Sequence, residues 1–388
     1  MVRFALAVGL GLLPLMAVDL AGVDLAGMNA ASAEERNQAK APLSAGQARD
    51  RYRTELNDNT ITIMAGADVG MVEDIAAVLD DGTAMRVVPM ISKGPAQSLK
   101  DAMFMRGVDM GVTQANILKH FAKTGELGPL NNEITYVAKL FTEEMHVLTH
   151  SGIANFSDLN GKIVNIGPEG SGLELTARAV FGASGIEVHE TQLDPVDAIA
   201  KLKAGEIDAT VMIAGKPTPM LAHLSPDSGL KLLGLPYPKG LEDQYYPATL
   251  THEDYPALIE DGVRVDTVSV CSVLVSFNWP KDSARSKKLA RFVDAFFSNF
   301  DAFLVSPRHP KWREVNFAAT LEGWQRSPLS QSWIDQAKMA AAADGAPAQE
   351  RFETFLAQAD VGGAQVSEEE RVKLFRAFVE WNKTQKQN

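Results

Sequence analysis

Gly167-Pro168-Glu169-Gly170-Ser171-Gly172 stands between an apolar run, Lys162–Ile166, and a helical pattern that begins at Leu173. In the order strand, glycine turn, helix, the first backbone N–H groups of the helix lack internal partners and lie at the positive end of its dipole. Gly170 and Gly172 remove side chains that would hold a ligand off that backbone, and Ser171 adds a hydroxyl donor. The chemistry on offer is reception of an anion or carboxylate. A plain helix cap has the same sequence signature, and Glu174 in the first turn suits the dipole in either case.

The arrangement occurs a second time. Ile61–Met64 runs into Gly66-Ala67-Asp68-Val69-Gly70 and another helical pattern. A cleft faced by both turns draws its candidate lining from Gly66, Ala67, Asp68 and Gly70, from Ser92 with Lys93, and from Gln114 with Asn116. From the second half it draws Glu169, Gly170, Ser171 and Gly172, then Gly215, Lys216 and Pro217. Lys93 and Lys216 are the cations that would neutralise an acid, and each also reads as a solvated surface lysine.

Catalytic constellations are missing. Gly215-Lys216 is no P-loop, because Thr210 holds the first glycine position and Pro217 follows the lysine. Ser171 is flanked at two removes by Glu169 and Leu173, so it is no nucleophile elbow. His146 and His150 are four apart on a stretch that reads as strand, and the other histidines lack metal-ligand spacing. Glu143 and Glu144 are adjacent on that stretch, so their side chains go to opposite faces. The chain is therefore expected to bind rather than to catalyse, with no cofactor and no metal.

The elements that position these residues repeat. Pro95 and Pro195 each open a second helix after an apolar run, and Arg106–Asp109 and Ala204–Asp208 each lead from it into a strand. The two turns lie about 100 residues apart, too long for a solenoid and suited to two homologous β-α-β-α-β lobes. Further strands are expected over Ile134–Leu140, Glu144–Thr149, Ile186–Leu193 and Leu230–Leu235, with Tyr237–Tyr255 as loop. Val263–Phe277 reads as a long strand returning to the first lobe, and Ser283–Leu304 as a helix with an aromatic core stripe. After Pro307 tryptophans and phenylalanines punctuate short helical patterns, with a linker over Ala340–Pro347 and a capping box at Ser367–Glu370.

With 388 residues, a net charge of -12 and a pI near 5.1, the chain is long enough for two large lobes and too acidic for a nucleic-acid partner. Residues 1–33 read as a removable export signal: Arg3, the apolar run Phe4–Val18, and Ala31-Ser32-Ala33 as cleavage site. The run is about 15 residues, short of the ~20 that span a bilayer. Cys271 is the single cysteine, so no internal disulfide forms, and none near the signal supports a lipid anchor.

Together Ile61-x-Ile-x-x-Gly, Asp109–Gln114, Gly170–Arg178, Gly205–Ala209 and Gly215–Thr218 resemble the TAXI branch of solute receptors for tripartite ATP-independent periplasmic (TRAP) transporters. The resemblance covers roughly residues 59 to 300. It implies an α/β, two-lobe periplasmic binding protein, type II-like and of Venus-flytrap form, with a C-terminal helical appendage. The lobes implied are 60–149 plus 266–300 and 150–265, preceded by a linker or helix over 34–58 and followed by a helical extension over 301–388. It further implies a monomer that captures a small organic anion, an amino acid or carboxylate, for a TRAP-type membrane permease. Asp68, Val72 and Glu73 depart from the family's first loop, and the extension is longer than the pattern requires. A sensor subunit that docks on a signalling receptor through residues 307–388 is the other expectation.

Overall fold

The structure, a computed structural model, describes residues 43–66, 70–237 and 239–343, the last five without side-chain detail. The signal segment and the capping box at Ser367–Glu370 lie outside the described residues. The chain divides into two compact units, Met1–Glu55 and Leu56–Asn388. Helix α1 (Ala45–Asn59) begins in the first and buries no residue.

The second unit opens with β1 (Thr60–Ala65), α2 (Gly70–Leu79), β2 (Arg86–Ile91), α3 (Pro95–Phe104) and β3 (Met110–Gln114). Ile61 and Ile63 alternate inward on β1, while Met71, Val72, Ile75 and Leu79 give α2 one buried face at helical spacing. Pro95 occupies the first turn of α3, where its missing N–H costs nothing. Two short helices follow β3, α4 (Ala115–Thr124), ended by left-handed Gly125, and α5 (Leu130–Glu133). They lead into β4 (Ile134–His150).

The motif then repeats as β5 (Ile163–Asn165), α6 (Gly172–Ala183), β6 (His189–Thr191), α7 (Pro195–Lys203) and β7 (Ala209–Ala214). After α8 (Pro219–Ala222), β8 (Leu230–Leu232) and β9 (Tyr246–Thr251), the long β10 (Arg264–Phe277) returns to the first half. Helices α9 (Ala284–Ser298) and α10 (Pro328–Ala343) complete the described chain.

The ten described strands join one mixed sheet in the order β2-β1-β3-β10-β4-β7-β5-β6, with β8 on β4 and β9 on β10. β4 and β10 run antiparallel from Ile134↔Phe277 to Glu144↔Ser269. Beyond that stretch β4 pairs with β7 and β10 with β9, so both strands serve both halves. The apolar clusters change hands between Phe141 and Met145 on β4 and between Val270 and Cys271 on β10. This is an α/β fold of two halves joined by two shared strands.

Several expected boundaries move. The two strands expected within 134–149 are one, because β10 keeps the backbone paired where half-buried Thr142 and Glu143 interrupt the apolar run, and β7 takes up pairing from Glu144 onward. Ile186–Leu193 and Leu230–Leu235 each shorten to three-residue strands, while Tyr246–Thr251, expected as loop, is strand β9 on the edge of β10. Ala340–Ala343, expected as linker, continues α10.

The segment after Pro307 is not peripheral at its start. Trp312 is fully buried in the first-half core among Phe296, Phe303 and Phe141, and its indole N–H donates to Asp74 at 2.7 Å. Beside it Lys311 and Glu144, 4% and 3% exposed, form an ion pair, and the Lys311 ammonium also reaches Thr142 Oγ1 at 3.1 Å. Burial raises the Glu144 carboxyl pKa, and the charge of Lys311 opposes that shift. Lys311→Met leaves this carboxylate buried without its cation, so urea unfolding should show a loss of about 3–5 kcal/mol. A loss below about 1 kcal/mol, as for an exposed pair, would contradict the buried pairing.

Candidate functional site

A cavity of about 1240 Å³ lies between the two halves. It sits at the carboxyl ends of β1, β2, β3 and β7, where open α/β sheets receive ligands. The first half contributes Met64–Gly66, Met90–Pro95 and the inner face of α3 with Gln97, Asp101 and Met105. The second contributes Pro168, Glu169 and Ser171 from the glycine turn, Gln192–Pro195 without Leu193, Met212–Ala214 and Thr218–Met220. Gln114 and Glu143 line it from β3 and β4.

Six of the residues expected at a cleft are therefore brought together: Gly66, Ser92, Lys93, Gln114, Glu169 and Ser171. Ala67 and Asp68 lie outside the described residues. Gly70, Asn116, Gly170, Gly172, Gly215, Lys216 and Pro217 are not in the lining.

Their positions have physical reasons. Asn116 is buried and its amide donates to Thr176 Oγ1 at 2.8 Å and to the Tyr245 hydroxyl at 3.0 Å, tying the first half to the second. Gly172 is the point of close approach between halves, since a Cβ there would stand 3.2 Å from Pro95 and 3.3 Å from Ile117. Gly215 is likewise closed in, with a Cβ at 3.0 Å from the Phe141 ring and 3.2 Å from His309. Lys216 spends its ammonium on the Thr249 carbonyl at 2.6 Å and the Asp254 carboxylate at 3.0 Å. Pro217 follows it across a cis peptide bond, and Gly70 begins α2.

The glycine turn that promised an anion site holds a carboxylate of its own. Glu174, 5% exposed, folds back so that Oε2 accepts the Gly170 N–H at 2.6 Å. Its Oε1 accepts from Gln192 Nε2 at 2.8 Å and pairs with Arg178 at 2.7 Å. Ser171 acts as N-cap, its hydroxyl accepting the Glu174 N–H at 3.1 Å. A left-handed turn at Gly170, φ 71, aims that N–H at the carboxylate. Two donors of this turn, the Gly170 and Glu174 N–H groups, thus serve the chain.

Sequence reasoning missed the floor and the apolar walls. Glu143 faces the cavity while its neighbour Glu144 faces Lys311, as strand alternation requires. The Glu143 carboxylate accepts from Ser272 Oγ at 2.6 Å and Gln114 Nε2 at 2.7 Å. Methionines 64, 71, 90, 105, 212 and 220 line the same space. The available signal was position: Met64, Met90 and Met212 each stand near the carboxyl end of a strand, and Met64 pairs with Met90 in register.

Behind the Thr218 loop, Tyr255 ties the cavity rim to the core. Its hydroxyl accepts the Thr218 N–H at 2.9 Å and hydrogen-bonds His146 Nε2 at 2.7 Å. His146 is fully buried, and no group of three metal-ligating side chains occurs among the described residues.

The chain is thus a two-lobed α/β fold with a cavity at the strand ends between its halves. A family model described as the NMT1-like family matches residues 61–275, more than half of the chain, and the chain belongs to that family. Among solved structures, one titled a periplasmic transporter aligns at TM-score 0.42 and 14% identity, covering 63% of this chain and 86% of the other. The aliphatic sulphonate binding protein SsuA of Escherichia coli aligns at 0.39 and 17%, covering 71% and 83%. The amino acid ABC transporter substrate-binding protein AbpA of Streptococcus pneumoniae, bound to L-arginine, aligns at 0.41 and 11%, covering 64% and 94%. No described helix is long and apolar enough to cross a membrane.

Burial pushes the His146 pKa down from 6.5 to about 3. Between those values the unfolded histidine takes up a proton that the folded one refuses, so stability falls as pH drops through the window. The slope from this group is about 1.4 kcal/mol per pH unit. His146→Gln, which keeps a polar group toward Tyr255, should flatten the pH dependence of unfolding across that window by this amount. An unchanged slope would show that His146 titrates alike in both states.

Proposed function

We propose that the protein is a receptor for a small organic solute, captured between the two halves and handed to a membrane permease of the TRAP type. The observation that carries this reading is the cavity of about 1240 Å³, lined from both halves at their strand ends. Two shared strands join those halves, so they can pivot about a common seam while the sheet stays paired. The lobes in this reading are 60–149 plus 266–300 and 150–265, close to where the apolar clusters change hands on β4 and β10. The TAXI resemblance supports the transporter type, a periplasmic location and removal of residues 1–33.

The role is reception rather than turnover. Lys93 is the cavity's one lining cation among the described residues, and the Glu174 carboxylate stands beside the start of α6, so the expected organic anion has few partners. Against docking of a signalling partner through residues 307–388 stands the burial of Lys311, Trp312 and Val315 in the first half.

A thermal-shift screen across amino acids, carboxylates and amines tests the reading, since a solute that binds only the folded state raises the unfolding midpoint. At least one small solute should do so, and silence across a broad panel would contradict it. Asn116 holds the halves together without lining the cavity. Asn116→Ala should weaken the affinity of a solute found this way by about tenfold, or about 1.4 kcal/mol. Titration calorimetry checks this, and unchanged affinity would separate binding from closure.

A further inference from the structure

We infer that the solute is an amphiphile held chiefly by an elongated alkyl or aryl body, which runs from the methionines at the back of the cavity to Ile91 and Met105 at its mouth. The inference rests on the receptor reading above and names the class of solute that site takes.

The apolar lining is graded from depth to surface. Met64, Met71 and Met212 are 3%, 7% and 6% exposed, Met90 and Met220 are half-buried, and Ile91 and Met105 are 69% and 47% exposed. Met64 pairs with Met90 in register and Ile91 is the next residue on β2, so the first half carries a continuous track. Met212 and Met220 line it from the second half. Unbranched thioether side chains mould to apolar bodies of varied shape. Large apolar side chains left in water where they continue such a surface mark a place that binding covers.

The polar lining is largely spent on the chain itself. Ser92 exchanges hydrogen bonds with Gly94 and Ser98, Gln97 donates to Asp101, Gln114 to Glu143 and Gln192 to Glu174. The Ser171 hydroxyl accepts the Glu174 N–H. Lys93, Glu169 and Asp194 are exposed, and a ligand charge paired with a hydrated side chain gains little. Discrimination therefore falls to the body of the solute rather than to its head group.

Size agrees. Pockets of about 300–1,000 Å³ hold drug-sized ligands, and this cavity measures about 1240 Å³. A four-carbon acid or a small amino acid would leave most of the methionine track against water. Each further methylene moved from water onto that track strengthens binding up to about fourfold.

Titration calorimetry of the full chain with the alcohol, carboxylate and amine of butyl and octyl chains, six probes in all, tests the inference. The octyl probes should bind one to one and at least tenfold tighter than their butyl counterparts, and the three octyl head groups should differ by less than that. Ile91→Ser combined with Met105→Ser, which changes two exposed side chains, should cut the octyl-to-butyl ratio at least fivefold. Ile91→Leu combined with Met105→Leu should keep it, with thermal unfolding confirming that both double variants fold. Equal butyl and octyl affinities would overturn the inference and leave the receptor reading standing. So would an unaltered ratio in the folded serine variant, or a head-group preference larger than the effect of chain length. Silence from all six probes would also overturn the solute class; the receptor reading falls only if the broad screen is silent as well.

Discussion

The antiparallel pairing of β4 with β10 is the constraint on which the second unit depends. These strands of 17 and 14 residues are buried along most of their length and hydrogen-bonded on both edges. Each half borrows part of both strands, so neither has a complete sheet or a complete core alone. Buried backbone groups must stay paired, which holds the seam together while the apolar contacts on either side of it belong to different clusters. The pairing register shifts between Cys271 and Val273 and again between Leu274 and Val275, and such irregularities bend and twist a strand. Glu143 and Ser272, on the two shared strands, face each other across this region and form part of the cavity floor.

Charge placement around that floor separates structure from reception. Lys311, Lys216 and Arg178 are each engaged by a carboxylate of the chain, Glu144, Asp254 and Glu174 in turn. These pairs consume cations that would otherwise attract an anion. Glu143, Glu169 and Asp194 line the cavity together with methionines 64, 71, 90, 105, 212 and 220. Glu174, in the first turn of α6, accepts the Gly170 N–H just ahead of the helix and so sets a carboxylate beside its positive end.

Much of the fold was legible because proline, glycine and apolar period act locally. Pro95 and Pro195 opened helices, and both β-α-β-α-β units stood where their turns placed them. β4 was not legible as one strand, since Thr142 and Glu143 interrupt its pattern and only pairing with the distant β10 carries it through. The site was half legible. Gly66, Ser92, Lys93, Gln114, Glu169 and Ser171 line the cavity because strand ends and turns are local features. Gly172 and Asn116 serve contact between halves, and Met64 meets Met90 through register, facts that arise from distant segments and leave no local mark.

The central claim is that the two halves close on a solute held between them. A distance measurement between nitroxide labels at Lys123→Cys and Lys203→Cys, both exposed positions on opposite halves, tests it most directly. Native Cys271 does not compete for label, because it is fully buried and burial pushes its thiol pKa up to about 12. With a solute that raises the unfolding midpoint, the distance distribution should change from broad to a single narrow population. The same distribution with and without saturating solute would contradict closure around the cavity.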